Sequence, residues 1–135
     1  ASSRLLPNML PRLTAKGIEM MGAGEQEMIA YAPIMDMLES MGIPMVDGIF
    51  AMPLEHGNNH IGMAKKLLGE LPIGITHFIL HPSIDTPELR AIAPDWQARV
   101  ANYNAFMSDE LKKFLESEDI KLIGYRALRN AMQNV

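Results

Sequence analysis

At 135 residues, with 48% hydrophobic and 21% charged, the chain is sized for one globular domain with a core, neither disordered nor fibrous. A net charge of −4 and a pI near 5.5 argue against nucleic acid as the main partner, because phosphate binding needs a basic face. No apolar run approaches the roughly 18 residues that cross a bilayer, so no membrane is expected, and the lack of cysteine excludes disulfides and thiolate metal sites.

The opening Ala1-Ser2-Ser3-Arg4 lacks the apolar stretch of a signal peptide, and a cytoplasmic location is expected. Leu5, Leu6, Met9 and Leu10 are interrupted by Pro7 and Pro11, which predicts extended chain or a very short helix. With no initiating methionine and no evident first strand, this opening points to sequence preceding Ala1.

From 25 to about 41 the pattern is helical: Met28, Ile29, Ala32, Met35, Leu38 and Met41 recur at steps of three and four. Pro33 predicts a kink or two abutting helices, and Gly42 before Pro44 ends the element. The twelve methionines are expected to form a soft, adaptable core. Residues 45–52 read as a short strand, or as a turn at Asp47-Gly48. A helix over 59–71 follows, capped by Asn58 or Asn59, with Ile61, Ala64, Leu67, Leu68 and Leu71 inward and Lys65 and Lys66 toward water.

Residues 74–82 alternate with period two: Ile75, His77, Ile79 and His81 point one way, Thr76, Phe78 and Leu80 the other. Pro82 stops this strand. His81 thus stands at a strand's carboxyl end, where α/β proteins gather their chemistry. Thr86-Pro87-Glu88 opens a short helix ending near Ile92. Asp95 is expected to cap the next helix, with Trp96, Val100, Tyr103, Phe106 and Met107 on one face, and Ser108 the one after it, with Leu111, Phe114 and Leu115 inward. Residues 120–125 read as a last strand and 126–133 as a terminal helix. Strands alternating with helices imply βα units and a parallel sheet. Three candidate strands are few for a complete barrel or doubly wound sheet, so the chain reads as part of something larger.

The run Gly-Ile-Thr-His-Phe-Ile-Leu-His-Pro-Ser-Ile-Asp-Thr-Pro-Glu-Leu-Arg-Ala-Ile over 74–92 resembles the C-terminal part of the YdjC-like carbohydrate deacetylases. So do Asp95-Trp96 with Arg99, the Ser108-Asp109-Glu110-Leu111 helix start and the closing Ile120-Lys121-Leu122-Ile123-Gly124-Tyr125-Arg126. The resemblance extends from about Met41 to Leu128. It implies a metal-dependent hydrolase that removes acetyl groups from N-acetylated sugars such as chitooligosaccharides, on a deformed (β/α) barrel distantly similar to the NodB-type polysaccharide deacetylases. Family members carry an Ala-Asp-Asp-Phe-Gly strand end and two metal-binding histidines earlier in the chain, and none of these motifs occurs in these 135 residues. A barrel takes roughly 250 residues. The expectation is therefore an α/β chain, 1–135, forming one partial domain: the C-terminal half of such a barrel, inactive alone. Its divalent metal, Mg or Zn, is expected only in the full-length enzyme, with ligands upstream of Ala1 and no metal site within this chain.

By the resemblance His81 faces the metal site and serves as general acid or metal-site support, a role that suits an imidazole. The plainer reading is a histidine that orders the following loop. His77, four residues earlier on the same strand face, is either a second ligand or an interior hydrogen-bonded histidine, the better reading. His56 and His60 have a spacing that lets two histidines share a metal on one helical face, but Gly57, Asn58 and Asn59 favour surface or loop positions. Asp85 in the strand-end loop and Arg99 are candidate substrate-binding residues, and Trp96 stacks on sugar or packs beneath the sheet. For Glu88 and Asp95 the helix-start role is preferred. The rival to the enzyme is a non-catalytic α/β module serving binding or assembly.

A half barrel leaves an outer strand unpaired, which favours pairing with another copy, so a homo-oligomer is expected. Light scattering of the isolated chain should show self-association; a monodisperse monomer would remove the basis for an open sheet edge.

Overall fold

The computed structural model describes residues 8–11, 25–42, 45–54, 57 and 59–133. The chain is mixed α/β, with four short strands and six helices among the described residues. It divides into two compact units. One takes in Ala1–Phe50, Pro72–Phe78 and Leu122–Val135, the other Ala51–Leu71 and Ile79–Lys121.

In the first unit β1 (Asn8–Pro11) pairs in parallel with β2 (Met45–Val46), Asn8 opposite Met45 and Pro11 opposite Val46. The extended reading of this part of the opening thus holds. The 45–52 run is not one strand. It breaks at Asp47 into β2 and β3 (Gly48–Ala51), and β3 pairs with β4 (Thr76–Ile79). The break has a clear cause. Asp47 N–H donates to Ile75 C=O at 2.8 Å while the Asp47 carboxylate accepts Ile75 N–H at 2.7 Å, so one residue grips both main-chain groups of another. Gly74 makes room for this: its φ is +131°, and a Cβ there would stand 2.3 Å from Asp47 Oδ2. Only glycine takes that conformation without strain.

Helix α1 (Glu25–Ser40) runs as one element through Pro33, and Gly42 follows at φ +74°, the left-handed turn expected of a helix end. Of its predicted stripe, Leu38 is half-buried and Met41 is exposed. The side chains of Met28, Ile29, Ala32 and Met35 lie outside the described residues, as do 1–7, 12–24, Ile43 and Pro44. Met52 is buried, yet Met37, Met41 and Met107 are exposed, so methionine is not reserved for the core.

The second unit is organised by α2 (His60–Gly69), α4 (Trp96–Phe106) and α5 (Asp109–Ser117), each packed against the other two. Their meeting faces carry Ala64 and Leu68 on α2, Ala98, Asn102 and Ala105 on α4, and Leu111 on α5. The α4 face differs from the predicted one. Trp96, Val100, Tyr103 and Phe106 are half-buried and Met107 is exposed, because the small residues at 98, 102 and 105 let neighbouring backbones approach while large ones sit at the margins. Asn102 is fully buried; its Nδ2 donates to Ala98 C=O at 2.9 Å.

Local signals at two helix starts hold as read. Thr86 Oγ1 accepts Leu89 N–H at 3.1 Å ahead of α3 (Pro87–Ile92), and Ser108 Oγ accepts Leu111 N–H at 3.2 Å ahead of α5. The predicted last strand does not form. Residues 120–124 are irregular, Leu122 and Ile123 are exposed, and α6 begins at Tyr125 and ends at Gln133. Ile120 N–H instead closes the end of α5 on Leu115 C=O at 2.9 Å, and Asp119 takes φ 54°, which turns the chain out of any extended run.

Leu111 is 1% exposed where the three helices meet. Leu111→Ala should cost about 2–5 kcal/mol in urea unfolding, and Ser108→Ala, which removes only the cap, about 1 kcal/mol. Equal losses would mean that Leu111 does not fill the core.

Candidate functional site

Strand β4 spans four residues and stops at Ile79, so His81 lies two residues beyond it, in the loop that leads to α3. All four β4 residues are half-buried, so the expected inside–outside alternation is not expressed in burial. The loop is tied down from behind: Ser83 N–H donates to Arg99 C=O on α4 at 3.2 Å. The His81 ring is half-buried, and its Nδ1 is enclosed without a protein partner. A buried polar nitrogen with no partner is costly, and Nε2 is the nitrogen left to meet another molecule.

Asp95 holds the N-cap position of α4 as expected, but its side chain makes no cap bond. Its two oxygens instead take Arg99 Nε at 2.8 Å and Nη2 at 2.9 Å, a bidentate pair one helical turn apart. The Arg99 guanidinium holds the Asp95 carboxyl below the ordinary carboxylate range, with the charge of His81 a smaller contributor in the same direction, and Asp95 in turn raises Arg99. The structure therefore gathers His81, Asp95 and Arg99 in one place. Sequence reasoning set Asp95 aside as a helix cap and offered Arg99 to substrate. Its paired geometry makes Arg99 a fixture of the loop and helix rather than a free donor.

Asp85 is exposed and grips Arg90 in the same bidentate manner, Oδ1 with Nε and Oδ2 with Nη2, both at 2.6 Å. Arg90 holds the Asp85 carboxyl below its usual range. The Arg90 guanidinium also lies 4.6 Å from the centroid of the Trp96 ring. Arg90 was not a sequence candidate. The spacing of five between an acid and an arginine across a helix start is the signal that was available.

His77 has a fixed partner: it shares a short hydrogen bond through Nδ1 with Tyr125 Oη, their rings tilted at 46°. Burial pushes the Tyr125 phenol up. This bears out His77 as an interior, hydrogen-bonded residue. His60 is a correction to the surface reading: it is 5% exposed as the first residue of α2, with Nδ1 lacking a protein partner. The apolar face of α2 begins with it, one position after the Asn59 cap. His56 lies outside the described residues. Glu88 is exposed in the first turn of α3, as read. Among the described residues no group of three or more His, Cys, Asp or Glu side chains can hold a metal ion, and no helix is long and apolar enough to cross a membrane.

A scan against models of known protein families gives no match, and no curated protein matches the chain.

The depressed Asp95 carboxyl has a definite pH consequence. A folded-state pKa below the unfolded one contributes stability that is present above the unfolded value and is lost as pH falls through the folded value. Thermal melts between about pH 7 and about pH 3 should show a falling midpoint in the parent chain and a shallower fall in Asp95→Asn. Identical slopes would mean that the Asp95–Arg99 pair does not persist in solution.

Proposed function

We propose that the chain is the C-terminal portion of a cytoplasmic, YdjC-like carbohydrate deacetylase, a hydrolase acting on N-acetylated sugars and built on a deformed (β/α) barrel. What carries this reading is His81: an imidazole in the loop after a strand, its back edge enclosed and its loop pinned to α4, at the position that the family resemblance assigns to the active site. The resemblance in order and spacing over 74–92, 95–99, 108–111 and 120–126 supports the choice of family.

In amide hydrolysis the carbonyl carbon takes up water and the C–N bond then breaks, and the departing nitrogen must gain a proton as it leaves. His81 is suited to that step. As imidazolium the ring gives its Nε2 proton to the departing amine, is left neutral, and takes a proton back from solvent. Asp95 and Arg99 hold the loop that carries it. In that family a divalent ion, Mg or Zn, would activate the water, and the part proposed for this chain's own residues is proton delivery and placement of the sugar. Self-association through an open strand edge belongs to the same proposal.

The decisive measurement is made in the longer enzyme. His81→Ala should lower turnover of an N-acetylated chitooligosaccharide by about 100-fold or more while the thermal midpoint stays near the parent value. Undiminished turnover in a folded His81→Ala protein would reject His81 as the acid.

A further inference from the structure

We propose that Asp85, Arg90 and Trp96 form a subsite for an uncharged sugar ring, on the surface that follows His81 in the chain. The proposal rests on the deacetylase reading only for the choice of an N-acetylated sugar as the ring.

The three side chains form one assembly in the second unit. Two N–H groups of Arg90 are spent on the two oxygens of Asp85 at 2.6 Å, and the guanidinium carbon is 4.6 Å from the centroid of the Trp96 ring. The fold does not require this arrangement. Helix α3, which carries Arg90, buries no residue, and its start is already capped by Thr86. Both members of the ion pair are exposed, where such pairs contribute little to stability.

The chemistry on offer is specific. A guanidinium has five N–H donors and an ionised carboxylate about four acceptor positions. After the mutual pairing, three Arg90 donors and roughly half of the Asp85 acceptor positions are unspent. Donors and acceptors therefore stand side by side on an ion pair of zero net charge, with the exposed Glu88 carboxylate on the same helix. An anion would have to break the grip of Asp85 on Arg90, and a cation would meet the guanidinium. A ring bearing adjacent hydroxyl groups, each both donor and acceptor, meets both halves at once. The guanidinium lies over the half-buried indole, so the surface offered to the C–H face of such a ring is the outer side of the guanidinium together with the uncovered part of the indole. Arg99, the sequence candidate for this task, makes the same kind of pair with Asp95 but is half-buried, whereas Arg90 and Asp85 are exposed to a ligand.

Trp96 is the single tryptophan of the chain, so tryptophan emission, excited at wavelengths where the three tyrosines do not absorb, reports on this surface. Titration with N,N′-diacetylchitobiose should change Trp96 emission saturably, and a digalacturonate of the same size should bind more weakly. Asp85→Asn and Arg90→Ala should each weaken chitobiose binding about fivefold or more, with thermal midpoints close to the parent. No saturable response, an unchanged affinity in both variants, or tighter binding of the acidic sugar would each overturn the subsite. The two readings fail separately. Chitobiose binding at Trp96 without deacetylation in the longer enzyme keeps the subsite and removes the enzyme, and His81-dependent deacetylation without a Trp96 response does the reverse.

Discussion

One main-chain hydrogen bond, from Ser83 N–H to Arg99 C=O at 3.2 Å, holds the candidate site in place. A carbonyl has two lone pairs, so a helical carbonyl can accept a donor from outside its own helix. Here that donor comes two residues after His81, and the loop leaving β4 is thereby fixed against α4. The same residue, Arg99, binds Asp95 through its side chain. Arg99 therefore ties a loop to a helix with its backbone and restrains the helix start with its guanidinium. Without the Ser83 bond the loop that carries His81 would lose its main-chain tie to α4.

The platform beneath the loop is built for close approach. Ala98, Asn102 and Ala105 form the α4 face that meets α2 and α5, and small side chains there bring helix backbones near one another. Asn102 is the exception in chemistry. Its amide nitrogen is satisfied within α4, but its Oδ1, like Nδ1 of His60 on α2, has no protein partner. Buried polar atoms lower stability unless they find partners. A surplus of enclosed polar atoms also limits which faces can pack, since a slipped helix would bury still more of them.

Legibility in the sequence follows how local each determinant is. Thr86 and Ser108 were readable as caps because the bond that each makes closes within three residues. The Asp95 side chain was misread by the same rule: a cap and an (i, i+4) ion pair call for the same residue type, and only the position of Arg99 decides between them. The last strand failed for a non-local reason. Leu122 and Ile123 have the composition of a strand, but an extended segment needs a partner to hold its backbone, and Asp119 has already turned the chain. The grip of Asp47 on Ile75 spans 28 residues and that of Tyr125 on His77 spans 48, so neither leaves a local pattern. The mixed α/β class was legible from periodicity; a closed barrel is a property of pairings that periodicity does not encode.

The two histidines of the 74–82 segment show how placement divides structural from chemical residues. They differ by four positions and share a residue type, and the period-two pattern gives both the same face. His77 lies within β4, and Tyr125 occupies its Nδ1; that nitrogen is engaged in holding the first unit together. His81 lies beyond the strand, where no ladder constrains it, and its Nδ1 is enclosed but unmatched. An imidazole bonded through one nitrogen to a neighbour is held in place by that contact. An imidazole with one nitrogen shut in and no neighbour to answer it directs its remaining polarity through the other. The strand's end, rather than the strand, is therefore where this segment can act on another molecule.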